Sequence, residues 1–230
     1  MKISIIGSGF VGQAVGRGFM ELGNEVIFYD IIEKELSNFT TNLENAITNS
    51  DVCVICVPTP QDEEGRIDLN IIREVSEDIG MALWKNKFEK YFVIVIKSTV
   101  VPGTTEEVVI PTIEKFSGMM INSDFGVCMC PEFLTEIAHS WDSDEGMKRD
   151  FFTEDRIVIG ESNKRSGDIV ETLFAPLNKP IFRTDLKTAE MIKYASNCML
   201  ATKISFWNEI FLVCKELGVK SEVVAGIVSL

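Results

Sequence analysis

The chain has 230 residues, 46% apolar and 25% charged, the balance of an ordinary globular protein and not that of a disordered chain. Its 22 basic and 35 acidic residues give a formal charge of −13, and a surface so acidic repels phosphate backbones, which argues against a protein that coats nucleic acid. A nucleotide ligand remains compatible, because backbone N–H groups and helix ends hold small phosphates.

Residues 2–6 are an apolar run that ends in glycines, too soon for a signal peptide. Residues 11–22 have helical spacing, with Val11, Val15, Phe19 and Leu22 on one face. Residues 25–29 read as a strand ending at Asp30, and 51–57 as a second buried strand. A helix over 70–83 precedes a very apolar strand over 91–97. A helix is expected over 105–116, with Pro111 as a possible break, and further strands over 126–130 and 156–160. Continuous apolar strands separated by helices predict an α/β fold, a doubly wound, mostly parallel sheet covered on both faces. The longest apolar runs, such as 52–57, fall short of the roughly 20 residues that span a bilayer, so no membrane partner and a cytoplasmic location are expected.

From residue 186 the pattern changes. Residues 186–217 read as one helix with no Gly or Pro, about 48 Å long at the rise per residue. Gly218 ends it, and a new helix starts near Ser221 with Glu222 in its first turn. The expected division is 1–185 for a Rossmann-type domain and 186–230 for the start of a helical one. The sequence stops at Leu230 inside a helical pattern, which predicts a truncation.

Cys53 and Cys56, and Cys128 and Cys130, lie in strand-like runs. In a strand, positions i and i+3 point to opposite faces, so Cys53 and Cys56 cannot chelate one ion together, and core packing is expected for all four. The single histidine, His139, argues against a zinc site and against a Ser–His–Asp triad. No metal ligand is assigned.

The first strand runs into Gly7-Ser8-Gly9-Phe10-Val11-Gly12, a G-x-G-x-x-G turn between strand and helix. Gly7 allows the tight turn, Gly9 lets a pyrophosphate approach the backbone, and Gly12 lets helix and strand pack closely. The helix N-terminus offers N–H groups and partial positive charge to the phosphates. Asp30 closes the next strand, where a carboxylate accepts the ribose hydroxyls and repels a 2′-phosphate, so NAD is expected over NADP. FAD shares the fingerprint, but nothing else in the sequence suggests a flavin site.

Four further segments follow in order: Val57-Pro58-Thr59-Pro60; Lys97-Ser98-Thr99-Val100-Val101-Pro102-Gly103-Thr104; Pro131-Glu132-Phe133-Leu134-Thr135-Glu136; and Ala189-Glu190-Met191-Ile192-Lys193-Tyr194-Ala195-Ser196-Asn197 ahead of Ala201–Glu209. Together with the glycine turn, this series resembles the UDP-glucose/GDP-mannose dehydrogenase family over nearly the whole chain. The resemblance implies oxidation of a sugar C6 alcohol to an aldehyde and then a carboxylate with two NAD, through a cysteine thioester that water hydrolyses. It implies oxyanion roles for Lys193 and Asn197, whose i, i+4 spacing independently puts them on one helix face. It implies that Glu132 is the hydrolytic base, that Thr99 holds water or the carboxylate near the sugar, and that Glu136 lines the substrate and nicotinamide side. Catalysis is thus assigned to Thr99, Glu132, Glu136, Lys193 and Asn197. The cofactor is assigned Gly7, Gly9, Phe10, Val11, Gly12, Asp30, Lys34, Val57, Pro58, Thr59, Thr99 and Glu136. The substrate, a nucleotide sugar of the UDP-glucose or GDP-mannose type, is assigned Glu132, Phe133, Leu134, Lys193 and Asn197.

The sequence departs from the family in places. The Gly-rich segment that carries the family's nucleophilic cysteine is not among the 230 residues, and none of the six cysteines has its context. Asp30 reaches Asp51 in only 21 residues, as though a helical insert were lost, whereas residues 140–155 are longer and more acidic than the family's link. Glu35 stands where a basic residue is common near the ribose, with Lys34 adjacent; Cys130 and Thr135 stand where Asn and Arg are common. A homodimer through the 186–217 helix is expected, along an apolar stripe including Ile192, Met199, Phe206 and Phe211. Two alternatives stay open: a non-catalytic NAD-binding homologue, and a hydroxyacid dehydrogenase of the 6-phosphogluconate type, against which the Ser98–Thr104 and Pro131–Glu136 segments argue.

Overall fold

A computed structural model describes residues 1–86, 90–133 and 150–228. It forms two compact units, Met1–Met191 and Ile192–Leu230. The first is built on an eight-stranded sheet of β1 (Lys2–Ile6), β2 (Glu25–Tyr29), β3 (Phe39–Thr40), β4 (Val52–Ile55), β5 (Phe92–Ile96), β6 (Phe125–Met129), β7 (Ile157–Glu161) and β8 (Ile181–Thr184). Their order is β3-β2-β1-β4-β5-β6-β7-β8. Every pairing is parallel except β6 with β7. The order reverses between β1 and β4, which is the switch point where doubly wound sheets open a crevice at their carboxyl ends.

The helices α1 (Phe10–Glu21), α2 (Leu43–Thr48), α3 (Asn70–Lys85), α4 (Ile110–Ser117) and α5 (Lys164–Phe174) connect these strands. Strands β1, β4, β5 and β6 are buried almost throughout, because helices cover both faces. On one face, Val93, Val95 and Cys128 pack with Phe19 of α1 and Phe174 of α5. Phe151 joins them, its ring 5.2 Å from that of Phe19 and edge-on to it. A Cβ at Gly18 would lie 2.1 Å from the Phe151 ring, so α1 needs a glycine there to admit the aromatic cluster.

The doubly wound sheet expected from the strand pattern is therefore present, and four elements join it that the periodicity did not mark: β3, α2, α5 and β8. Strand β3 has two residues and α2 has six, too few to show a period. Helix α5 is longer and did carry a start signal, since Asn163 and Ser166 form a reciprocal cap.

Around Pro111 the helix survives by changing register. Residues Thr105–Val109 form a π-helical turn before α4 begins. Pro111 then follows just after the π turn, and the helical stretch runs on through it to Ser117.

The crossover from β2 to β3 runs through residues 30–38 without a helix, although a parallel pair usually needs a dozen or more connecting residues. This is where the shortness of the Asp30–Asp51 link shows in the fold.

Helix α6 (Leu186–Leu217) has the bounds the sequence predicts. Asp185 caps it, accepting from the Thr188 amide at 2.8 Å and the Thr188 hydroxyl at 2.7 Å. Gly218, at φ 67°, ends it. The Val219 amide reaches the Cys214 carbonyl at 2.8 Å and the Gly218 amide that of Lys215 at 3.4 Å, the paired bonds of a Schellman cap. Helix α7 (Ser221–Val228) follows. Ile192, Met199 and Phe206 recur at i+7 and share a face, but Phe211 lies about 100–140° from them, so it does not belong to their stripe. Among the described residues no helix is long and apolar enough to cross a membrane.

The Asp185 carboxyl is held below the usual range by its bonds from the Thr188 hydroxyl and amide. A depressed carboxyl stabilises the fold above its unfolded value, near 3.9, and that contribution is lost as pH falls through the lower folded value. Asp185→Ala should lower stability by about 0.5–1 kcal/mol at pH 7 and by progressively less in acid. Urea denaturation at pH 7 and pH 3 reads both effects.

Candidate functional site

The parallel strands end level with one another. Tyr29, Ile6, Ile55, Ile96 and Met129 pair in one row across β2, β1, β4, β5 and β6. The next residue of each strand, Asp30, Gly7, Cys56, Lys97 and Cys130, forms a second row at the carboxyl edge. The ladder extends into it, with the Cys56 amide on Ile6 O at 2.7 Å, Lys97 on Ile55 O at 2.9 Å and Cys130 on Ile96 O at 2.9 Å. The loops that carry most of the sequence-assigned residues leave from this row.

The glycine turn is pinned to the end of β2. Gly7, at φ 91°, donates its amide to Tyr29 O at 3.0 Å. The buried Ser8 donates its amide to Asp30 Oδ2 at 2.9 Å and its hydroxyl to Tyr29 O at 2.9 Å. A Cβ at Gly12 would lie 2.0 Å from the Gly7 carbonyl oxygen, so α1 and β1 meet backbone to backbone. A Cβ at Gly9 would meet nothing within 4 Å. The space before α1 is therefore open, and the helix end facing it has no side-chain cap and no acidic residue in its first turn. Phe10 is exposed and Val11 half-buried beside that opening. Asp30 also accepts from the Ile32 amide at 3.2 Å, and Lys34 Nζ lies 3.5 Å from Asp30 Oδ2. An uncapped helix end with a held carboxylate at the next strand is the cradle a dinucleotide diphosphate and ribose require.

Across the switch point, Val57 is buried, Pro58 exposed and Thr59 half-buried. Thr59 Oγ1 donates to Thr99 O at 2.7 Å, and Ser98 Oγ to Val57 O at 2.7 Å, so the loops after β4 and β5 are tied together. Beyond Thr99, Glu190 in the first turns of α6 is fully buried. It accepts from the Gly103 amide, the Thr105 amide at 2.8 Å and the Thr105 hydroxyl at 2.6 Å. It thereby supplies the cap for the helical stretch that starts there.

After β6, Glu132 is half-buried and Phe133 buried. Leu134, Glu136 and His139 lie outside the described residues. Lys193 is buried and Asn197 exposed on the part of α6 that belongs to the second unit. Three charged residues that the sequence reading did not assign are also part of this architecture: Lys97, Glu154 and Glu190. Lys97 had a visible signal, since it ends a strand of five consecutive apolar residues, Phe92-Val93-Ile94-Val95-Ile96. Burial opposes its charge, but Cys130, Glu154, Glu132 and Cys56 around it outweigh burial and hold its ammonium above the ordinary lysine value.

A sequence model of the "UDP-glucose/GDP-mannose dehydrogenase family, NAD binding domain" matches residues 32–178, and one of the family's central domain matches 187–230. The chain belongs to the UDP-glucose/GDP-mannose dehydrogenase family. It is 36% identical to a GDP-mannose 6-dehydrogenase of Pseudomonas syringae pv. syringae over 255 aligned positions, covering 99% of this chain and 56% of that one. It is 33% identical to a UDP-glucose 6-dehydrogenase of Haloferax volcanii, covering 96% of this chain and 56% of that one. The crystal structure of a ternary complex of GDP-mannose dehydrogenase from Pseudomonas aeruginosa superposes with a TM-score of 0.88 at 32% identity, over 100% of this chain and 56% of that one. The chain thus spans about half the length of the curated relatives it matches. NAD is the cofactor of this domain, and the cradle between Gly7, Gly9 and Asp30 fits it.

Four cysteines lie along the sheet, Cys53, Cys128 and Cys130 buried and Cys56 half-buried. Burial pushes the Cys56 and Cys128 thiols up to about 12, and those of Cys53 and Cys130 upward as well.

The contrast between Gly9 and Gly12 predicts opposite phenotypes for the same substitution. Gly12→Ala must force its methyl against a backbone oxygen and should cost about 1–3 kcal/mol of stability. Gly9→Ala should leave the melting temperature unchanged but weaken NAD binding about tenfold, roughly 1.4 kcal/mol, because its methyl projects into the phosphate space. Thermal denaturation and calorimetry on the two variants separate these effects.

Proposed function

We propose that this chain is the NAD-binding portion of a nucleotide-sugar 6-dehydrogenase that oxidises the C6 alcohol of a UDP-glucose- or GDP-mannose-type substrate toward the uronic acid. The observation that carries the reading is the union, at one carboxyl edge, of the open α1 end, the Asp30 carboxylate and the Thr99 and Glu132 loops. NAD, when bound, supplies the hydride acceptor. Everything else falls to side chains of the protein. Asp30 accepts the adenosine ribose hydroxyls and turns away a 2′-phosphate. Thr99 positions water or the carboxylate beside the sugar, and Glu132 takes the proton from the hydrolytic water. Glu136 lines the same side. Lys193 and Asn197, one turn apart on α6, donate to the oxygen on which negative charge develops. Phe133 and Leu134 belong to the substrate loop, as Val57, Pro58 and Thr59 belong to the cofactor's nicotinamide side. Lys34, paired to Asp30, neutralises part of the charge there.

Cofactor choice is the first test. NAD should bind at least tenfold more tightly than NADP in calorimetry, and Asp30→Ala should narrow that gap, since it removes the diol acceptor and the repelling charge together. Equal binding of both cofactors by the unchanged chain would remove the assignment of Asp30. Turnover is the second part of the same experiment. The 230 residues alone should release no uronic acid from GDP-mannose or UDP-glucose, because the Gly-rich segment that carries the family's nucleophilic cysteine is not among them. Joined to the C-terminal part of the Pseudomonas syringae relative, they should yield two NADH per sugar, and Lys193→Ala should remove most of that yield. A folded, NAD-binding fusion that forms no NADH with either sugar would defeat the proposal.

The same reading includes a homodimer through α6, supported by Met199 and Phe206, which share one face of that helix and are each about half or more exposed. Light scattering at high concentration should give twice the mass of 25.7 kDa; a monomer throughout would count against it.

A further inference from the structure

Glu132 sits between two peptide groups that are each held by a buried charge of opposite sign. On one side, Lys97 Nζ donates to Pro131 O at 3.2 Å. On the other, Glu154 Oε1 accepts from the Phe133 amide at 2.8 Å. Both side chains are about 2% exposed. A charged group this deeply buried is costly unless it is hydrogen-bonded and faces compensating charge. Here the two compensate each other across one residue, and the residue they bracket carries the side chain assigned to the reaction.

The fold explains why these two partners are available. Lys97 continues the row of Val93 and Val95 on the face that also carries Cys130, so its chain rises along the sheet toward the loop after β6. Its ammonium is 3.9 Å from Cys130 Sγ and 5.3 Å from the centre of the Phe174 ring. Glu154 arrives from the opposite direction. Because β7 is antiparallel to β6 and pairs only Gly160 with Met129 and Glu161 with Cys128, its start overshoots the end of β6. Three residues of overshoot carry the chain about 10 Å beyond the paired rows, past the end of β6. Glu154 itself belongs to a tight turn in which Asp150 Oδ1 accepts the amides of Phe152 at 2.9 Å and Thr153 at 3.0 Å. Phe151 anchors that turn in the aromatic cluster with Phe19 and Phe174.

We infer that Lys97 and Glu154 are positioning residues for Glu132, gripping the carbonyl before it and the amide after it so that its carboxylate is presented in one direction. The inference rests on the reading of Glu132 as hydrolytic base, but it concerns the conformation of the loop and is tested without turnover. Bonds to charged groups are the stronger class, so this grip is stiffer than ordinary loop hydrogen bonds would make it. The groups that face the Lys97 ammonium are Cys56, Cys130, Glu132 and Glu154, and its charge persists through neutral and mildly alkaline pH.

The sequence offers a clean way to see both peptide groups. Pro-Glu occurs once in the 230 residues, at 131–132, and Glu-Phe once, at 132–133. Chain labelled with 13C-carbonyl proline and 15N-glutamate therefore gives one NMR correlation, from the Pro131–Glu132 peptide. Carbonyl-labelled glutamate with 15N-phenylalanine gives one from Glu132–Phe133. In the unchanged chain the Phe133 amide should exchange with solvent as slowly as sheet amides, and Glu132 should show the couplings of a single χ1 rotamer. The Pro131 carbonyl signal should hold steady from pH 7 to pH 10 and move only where the lysine ammonium titrates, above roughly 10.4. Glu154→Gln should speed Phe133 exchange about tenfold. Lys97→Met should shift the Pro131 carbonyl, abolish its alkaline titration and average the Glu132 couplings. A Phe133 amide already unprotected in the unchanged chain would overturn the inference, and that measurement needs no variant to fold. So would folded variants in which neither signal moves. Loss of the grip with NADH formation intact in the fusion would refute the positioning role alone. A grip that is present while Glu132→Gln leaves acid formation by the fusion unchanged would refute the base assignment alone.

Discussion

The hydrogen bonds that run from β1 through β4 and β5 to β6 keep four strand ends in register, and they continue one residue past each strand. That added row sets Gly7, Cys56, Lys97 and Cys130 side by side, with Asp30 at its flank. A slip of one residue in any strand would turn its last side chain to the other face of the sheet and carry its loop off the row. Lys97 would then meet the α3 and α4 side, and the loop after β6 would lose its ammonium partner. The glycine turn depends on the same alignment, because Ser8 reaches the Asp30 carboxylate only while the ends of β1 and β2 stay level.

Net charge and local charge oppose each other in this molecule. The whole chain carries −13, yet the places where phosphate and developing negative charge would sit are supplied with positive ends. The amide groups at the start of α1 face open space, and no carboxylate stands in that first turn. Lys97 is sunk into the sheet with two thiols and two carboxylates around it. Glu190 turns the reverse trick, as a buried carboxylate fed by two amides and a hydroxyl. None of these effects depends on the surface, so salt that screens the acidic exterior leaves them nearly intact.

Much of this was readable from residue order. The strands, the glycine turn, Asp30 and the full extent of α6 all follow from local rules of apolar period, turn chemistry and breaker placement, and the family motifs follow from short fixed strings. What escaped the reading was of another kind. Glu154 stands 22 residues after Glu132 in a stretch with no helical or strand period, and only the antiparallel return of β7 brings it to the Phe133 amide. Glu190 is one glutamate among many until α6 lies against the Gly103 turn. The role of Lys97 needs neighbours from two other strands. Pro111, a possible break in the expected 105–116 helix, stands within a continuous helical stretch, with a π turn ahead of it. The apolar stripe on α6 was drawn too wide, since Phe211 is out of phase with Ile192, Met199 and Phe206.

The abbreviated passage from β2 to β3 leaves the outermost strand only two residues long, paired with Phe28 and Tyr29 and leaving Glu25–Ile27 of β2 beyond its reach. An outermost strand displays a line of unpaired amides and carbonyls, and a neighbouring chain that adds to such a line begins an aggregate. Phe39 and Thr40 present too short a line to template that addition, and the backbone turns into α2 almost at once. With no helix in the passage from β2 and only two residues in β3, that strand offers a neighbouring chain almost nothing to extend.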